Sequence, residues 1–154
     1  MGEGTAGRVA LMAIRPQYAQ AILTGAKTVE FRKRGLADDV DTVLVYETAP
    51  TRSVVGVFKV DDTVRMSPRG LWRRFGSVGA IARGDFMSYY DTSPTAVGLV
   101  VGTVVSLRVP VPLSELRPSP PVPQSFSYLP ADVLEQIYVI QARHITSESA
   151  LFTA

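Results

Sequence analysis

The chain contains no cysteine, which excludes disulfides, thiolate zinc sites and cysteine nucleophiles. Its single histidine, His144, lies late in the chain, so a two-histidine metal site and a histidine-based acid–base pair are excluded as well. The unassigned carboxylates Asp61, Asp62, Asp85 and Asp91 match no metal-ligand spacing, and no cofactor or metal is expected. No apolar run approaches the roughly 20 residues needed to cross a bilayer. The opening Met1-Gly2-Glu3-Gly4-Thr5-Ala6-Gly7 lacks a charged head followed by an apolar stretch. By elimination the expectation is a soluble cytoplasmic protein without a membrane partner. Net charge is also small, 16 basic against 14 acidic residues, for a formal +2. That is too little to argue for nucleic acid by itself.

What is present is more telling in its arrangement than in its amount. The 154 residues, 46% of them hydrophobic, are enough for one domain with its own core. Most of the basic residues are arginine, whose planar fork suits phosphate. No carboxylate occurs between Met66 and Gly84, a window that holds Arg69, Arg73, Arg74 and Arg83. A GC-rich genome would account for the arginines but not for the gap in acids.

The densest signal is Gly25-Ala26-Lys27-Thr28-Val29-Glu30-Phe31-Arg32-Lys33-Arg34. A turn glycine ends the helical stretch from Pro16 to Thr24, and a strand-like alternation follows. Val29 and Phe31 point one way; Thr28, Glu30, Arg32 and Arg34 point the other. One strand face therefore carries a single carboxylate between fixed positive charges, with Lys27 at its mouth, as an anion or nucleobase site requires.

Along the chain, residues 1–7 read as a flexible N-terminus, 8–145 as a single domain and 146–154 as a C-terminal tail. Arg8 to Ile14 reads as a short buried strand. Pro16 sits at the first turn of a helix whose expected inner contacts are Tyr18, Ala21, Ile22 and Leu11 of the preceding strand, and Gly25 caps its end. Thr42–Thr48 and Ser53–Val64 are strands, with Gly56 marking a bulge or close backbone approach. Ser67-Pro68 opens a helix as N-cap and first residue, with Leu71, Trp72 and Phe75 on its apolar side. A further helix is expected between Ile81 and Tyr90, and a glycine-interrupted strand from Thr95 to Leu107. The proline-rich stretch Pro110 to Pro123 reads as an extended segment lying across the barrel. Pro130 to Gln136 reads as a last short helix, and 138–145 as a closing strand. Many short, glycine-interrupted strands with a few inserted helices predict an α+β fold, a small mixed β-barrel flanked by two to four helices.

The pattern Gly-x-Lys-x-x-Glu-x-Arg resembles the signature of the ASCH family, a branch of the PUA-like fold. Ala10 to Leu23 resembles that family's opening strand and helix. Val43 to Pro50, Val55 to Phe58 and Pro123-Gln124-Ser125-Phe126-Ser127-Tyr128 are similar to later blocks of its stand-alone bacterial and archaeal members. The resemblance covers roughly residues 8 to 130 and implies a PUA-like barrel with a cleft that binds RNA, single-stranded nucleic acid or a nucleotide, a modified base included. It also implies two enzymatic alternatives. Some small ASCH proteins are amidohydrolases of N4-acylated cytidine that use a lysine and a threonine of this motif. Others are associated with ribonuclease activity. Here Lys27 holds the lysine position, but Glu30 stands where those amidohydrolases place the threonine nucleophile.

The expected nucleic-acid-binding residues are Arg15, Lys27, Glu30, Arg32, Arg34, Tyr46, Arg69, Arg73, Gln124, Ser125 and Tyr128. Lys27 and Arg32 would meet phosphate or a base carbonyl, and Glu30 would orient Arg32 or accept from an exocyclic amine. Were the protein an enzyme, Lys27, Glu30 and Arg32 would carry the chemistry. Arg69, Arg73, Arg74 and Arg83 would track a phosphate backbone. Tyr46, Phe126 and Tyr128 are candidate stacking platforms, whereas Trp72, beside Leu71 and Phe75, reads as core. The bland alternatives are a salt-bridged strand face at Glu30 and solvated surface arginines elsewhere.

Overall fold

Buried on both faces, two neighbouring strands organise the molecule. In the computed structural model, which describes residues 7–153 and side chains as far as residue 146, they are β1 (Arg8–Ile14) and β3 (Thr42–Glu47). They pair in parallel, with Ala10 opposite Val43 and Ala13 opposite Tyr46. Alternate residues leave opposite faces of a strand, and the core divides accordingly. Ala10, Met12, Ile14, Val43 and Val45 join one hydrophobic cluster; Val9, Leu11, Leu44 and Tyr46 join another. Burial on both sides is why these segments read as near-continuous apolar runs.

The first cluster is covered by α1 (Pro16–Thr24) through Ala19 and Ile22. Proline at the start of α1 and Gly25 at φ 86° after it set both ends of the helix. The second cluster is covered by α4 (Val133–Thr153) through Val133, Ile137 and Ile140, together with Leu113 and Leu116. Here the expected short helix and closing strand at 138–145 give way to one helix. The run Tyr138-Val139-Ile140 has strand composition, but Val133, Ile137 and Ile140 recur at helical spacing and all three are buried. The proline-rich stretch is no free linker, since Val111, Leu113 and Leu116 within it are buried.

The remaining strands are β2 (Val29–Arg32), β4 (Ser53–Met66), β5 (Ala96–Val111) and β6 (Phe126–Pro130). The sheet order is β2-β5-β4-β3-β1-β6, antiparallel apart from the β1–β3 pair. The long β4–β5 ladder shifts register between Val54 and Gly56, between Phe58 and Val60, and between Val60 and Asp62. Such bulges add twist and curl. Gly56 sits where a Cβ would run into Leu23 of α1, the close approach its place in the sequence predicts.

The expected barrel is therefore curled but not closed, because β2 and β6 share no ladder and stand at the two edges of the order. Against β2 pack α2 (Pro68–Phe75) and α3 (Arg83–Tyr89). Ser67 Oγ accepts from the Gly70 amide at 3.1 Å, capping α2. Val29 and Phe31 meet Leu71, Phe86 and Tyr90 in a third cluster, with Phe31 edge-on to Phe86 at 4.9 Å.

Candidate nucleic-acid cleft

Gly25 releases the chain from α1, and two backbone bonds set the start of the motif strand. The Lys27 amide donates to Ala21 O at 3.0 Å, and the Thr28 amide to Val78 O at 2.9 Å. From there β2 alternates as the sequence predicts. Val29 and Phe31 enter the third cluster, and Glu30 and Arg32 face a cleft of about 770 Å3. The other walls come from the end of β1 and the start of α1 (Ala13, Arg15, Gln17, Tyr18), from α3 (Asp85, Ser88, Tyr89), and from Gln124 and Ser125 ahead of β6.

On the cleft floor the Glu30 carboxylate lies between two cations. Its Oε2 is 3.2 Å from Arg32 Nη1, and its Oε1 is 3.7 Å from Lys27 Nζ. Lys27 Nζ also donates to Gly79 O and stands over the Phe31 ring at 4.8 Å. Arg32 donates through Nη2 to Ser125 Oγ and through Nη1 to Ala13 O at 3.5 Å. Its Nε is buried without a partner among the described residues. Below it, the Tyr90 hydroxyl donates to Arg32 O at 2.8 Å.

Lys27, expected at the mouth of this strand face, lies instead on its floor, and that floor is nearly sealed from solvent. Lys27 is 2% exposed and Glu30 5%, while the Arg32 side chain keeps 11%. Apolar packing on the reverse face of a four-residue strand draws the whole strand inward. Burial pulls the Lys27 pKa below the usual lysine value, with the Glu30 charge opposing it. Burial likewise raises Tyr89, which Arg32 opposes and Glu30 reinforces. Burial raises Tyr90 too, with neighbouring Tyr89 adding to the shift, so both phenols stay neutral. In a partly desolvated site the two cations can neutralise an anion that comes to lie beside them, with the carboxylate holding them in place.

Of the sequence-predicted residues, Arg15, Lys27, Glu30, Arg32, Arg34, Gln124 and Ser125 line this cleft. Four do not. Tyr46 is 4% exposed inside the second core cluster; it shares the parity of Leu44, and its strand is buried on both faces. Tyr128 accepts from the Ala37 amide at 2.8 Å and has the Arg8 guanidinium 4.4 Å from its ring centre. Both its hydroxyl and a ring face are thus occupied outside the cleft. Arg69 and Arg73 are exposed on α2, whose apolar side packs against β2. Trp72 packs 5.1 Å from Phe86 as expected. Thr28, the hydroxyl nearest the missing threonine position, is exposed and is not a cleft residue.

Sequence reasoning missed Gln17, Tyr18, Lys33, Asp85, Ser88 and Tyr89. The α3 signal was available. Phe86 and Tyr90, four apart, form the buried side, which leaves Asp85, Ser88 and Tyr89 together on another side. Among the described residues no group of three or more His, Asp or Glu side chains is placed to hold a metal. No helix among them is long and apolar enough to cross a membrane.

A curled, open mixed sheet with helices on both faces and a charged cleft where its edge strands approach is the PUA-like arrangement. Residues 12–104 match the ASCH domain model, and the chain belongs to the ASCH family. It is 28% identical over 124 residues to a Zymomonas mobilis protein named ASCH domain-containing ribonuclease, covering 78% of this chain and 83% of that one. It is 30% identical over 120 residues to large ribosomal subunit protein uL22 of Ureaplasma parvum; the match takes in 77% of this chain and 38% of that longer relative. The crystal structure of the Zymomonas mobilis ASCH protein superposes with a TM-score of 0.78 at 26% identity, over 85% of this chain and 94% of that one. Tyrosine-to-phenylalanine and serine-to-alanine variants of that protein superpose with the same score.

Proposed function

We propose that this ASCH domain binds single-stranded RNA, with one nucleotide entering the cleft. The observation that carries the reading is the Glu30 carboxylate held between Lys27 and Arg32 on the floor of a cleft flanked by Arg15, Lys33 and Arg34. The exposed cations meet the backbone first. The buried floor acts at short range, where partial desolvation strengthens each charge. The kinship with a protein named as a ribonuclease supports RNA as the ligand.

Direct measurement uses fluorescence anisotropy of a labelled single-stranded RNA. Arg32→Ala and Lys27→Met each weaken binding by about tenfold or more, the loss of one charge-assisted contact. Unchanged affinity in both variants places the site elsewhere.

Strand cleavage is the second reading, favoured by the same geometry and the same relative. Glu30 takes the proton of a 2′-hydroxyl as the 2′-oxygen bonds to phosphorus. The bond from phosphorus to the 5′-oxygen breaks, and the Lys27 ammonium, acidified by burial, returns a proton to that oxygen. Arg32 neutralises the equatorial oxygens in the transition state. The products are a 2′,3′-cyclic phosphate and a 5′-hydroxyl. A fluorogenic RNA is cut by the wild type and spared when the scissile ribose lacks its 2′-hydroxyl. An RNA left intact by the wild type removes the catalytic reading while leaving binding in place.

A further inference from the structure

The wall opposite the charged floor has its own composition. On α3, Asp85, Ser88 and Tyr89 all line the cleft, while Phe86 and Tyr90 are buried behind them. Residues three and four apart share a side of a helix, so an acid, a hydroxyl and an aromatic ring form one continuous surface. Tyr89 is 37% exposed and is braced from behind by Tyr90, ring centres 4.8 Å apart and edge to face. It is thus a fixed flat ring presented to the cleft. The Lys33 ammonium lies 4.9 Å from its centre. Asp85 has no ion-pair partner among the described residues, in contrast to Glu30, which has two.

We infer that this side of α3 is a nucleobase reader: Tyr89 stacks on one base, while Asp85 and Ser88 hydrogen-bond its edge and select bases that carry an amino group. The inference rests on the RNA reading above and names what that cleft distinguishes. An exposed cation–π contact is weaker than the stacking of a base on a ring. The incoming base therefore displaces Lys33, whose ammonium turns to the adjoining phosphate. A carboxylate only accepts hydrogen bonds, so Asp85 pairs with the exocyclic amines of adenine and cytosine, whereas uracil offers it only a ring N–H set between two carbonyl oxygens that repel the carboxylate.

The test compares short adenylate, cytidylate and uridylate oligomers and an abasic ribose-phosphate strand of equal length, by anisotropy at fixed salt. The wild type favours adenylate and cytidylate over uridylate, and any base-bearing strand over the abasic one. Tyr89→Leu loses roughly 5- to 150-fold on base-bearing strands and nothing on the abasic strand, and Tyr89→Trp recovers the loss. Asp85→Leu erases the preference over uridylate. Circular dichroism melting checks that each variant is folded. If Tyr89→Leu binds base-bearing RNA like the wild type, or if the wild type binds abasic and base-bearing strands equally, the stacking role is wrong while the RNA reading stands. A wild type that binds none of the strands removes both.

Discussion

Arg32 on the edge strand β2 donates to Ser125 Oγ, immediately ahead of the opposite edge strand β6. Side chains thus join the two ends of a sheet whose hydrogen-bond ladder stays open. The cleft lies at this seam, so closing the fold and placing the guanidinium are one act. Arg32 also reaches Ala13 O and Glu30 from the same group. Its orientation is therefore over-determined, as a pre-organised anion contact requires.

Ser125→Ala removes the acceptor and leaves a charged, mostly buried donor without its partner. The expected cost is about 1–3 kcal/mol of folding stability, read from the urea midpoint at unchanged slope. RNA affinity falls with it. A variant as stable as the wild type shows that the seam is held by the sheet and not by this pair.

Lys27 separates a functional from a structural reading of the floor. Were the Lys27–Glu30 contact mainly structural, removing the lysine would strand a buried carboxylate at a cost of about 3–5 kcal/mol. Glu30 retains Arg32 at 3.2 Å, however, so Lys27→Met is expected to stay within about 1 kcal/mol of wild-type stability while RNA binding collapses. Thermal melting and anisotropy on one preparation decide between them.

The same residue sets a pH dependence. Burial lowers its pKa, so in the window between that lowered value and the ordinary 10.5 the unfolded chain holds the extra proton. Stability from this group consequently rises with pH across that window. Ligand binding runs the other way, because the Lys27 charge is lost there. Tyr89 and Tyr90, both raised, add no negative charge in that range. Wild-type affinity for RNA should fall on the alkaline side earlier than an ordinary lysine allows, and Lys27→Met should show weak binding without that fall. Identical alkaline profiles for the two proteins reject the assignment.

Salt dependence tests how far the strand runs. Each phosphate contact on single-stranded nucleic acid contributes about 0.7 to the slope of log affinity against log salt. Arg15→Ala, Lys33→Ala and Arg34→Ala at the cleft should each flatten it by about that amount. Arg69 and Arg73 lie exposed on α2, outside the cleft. Arg69→Ala and Arg73→Ala should do the same if the backbone follows the acid-free stretch of the sequence. A slope indifferent to both ends the strand at the cleft.

The features legible in the sequence are the ones that local chemistry decides. Gly25, Ser67 and Pro68 stand at helix ends for reasons contained in a few residues. The alternation through Val29, Glu30, Phe31 and Arg32 fixed the facing of β2 without knowledge of its partners. Tyr46 was misplaced because its facing depends on a second layer, α4 and the Leu113–Leu116 turn, brought in from far along the chain. Tyr128 was misplaced because Arg8 and the Ala37 amide, distant in sequence, claim it. The Asp85-Ser88-Tyr89 wall could be read from the four-residue spacing of Phe86 and Tyr90 as one side of a helix, but that this side faces the motif strand follows only from the packing of α3 on β2.

Gly79 ties the core to the floor and yields the sharpest steric prediction. Its carbonyl accepts from Lys27 Nζ, and a Cβ there would run into the Phe31 ring. Phe31 is 6% exposed and held edge-on by Phe86, so the ring has nowhere to retreat. At φ −91° the backbone itself tolerates alanine, which leaves the clash as the whole effect. Gly79→Ala is expected to destabilise the fold by about 1–3 kcal/mol and to weaken RNA binding beyond what the unfolded fraction explains, since the carbonyl that anchors Lys27 must shift. Gly84→Ala on α3, where a Cβ meets open space, should do neither. If the two glycine variants melt and bind alike, Phe31 does not set the position of the lysine anchor.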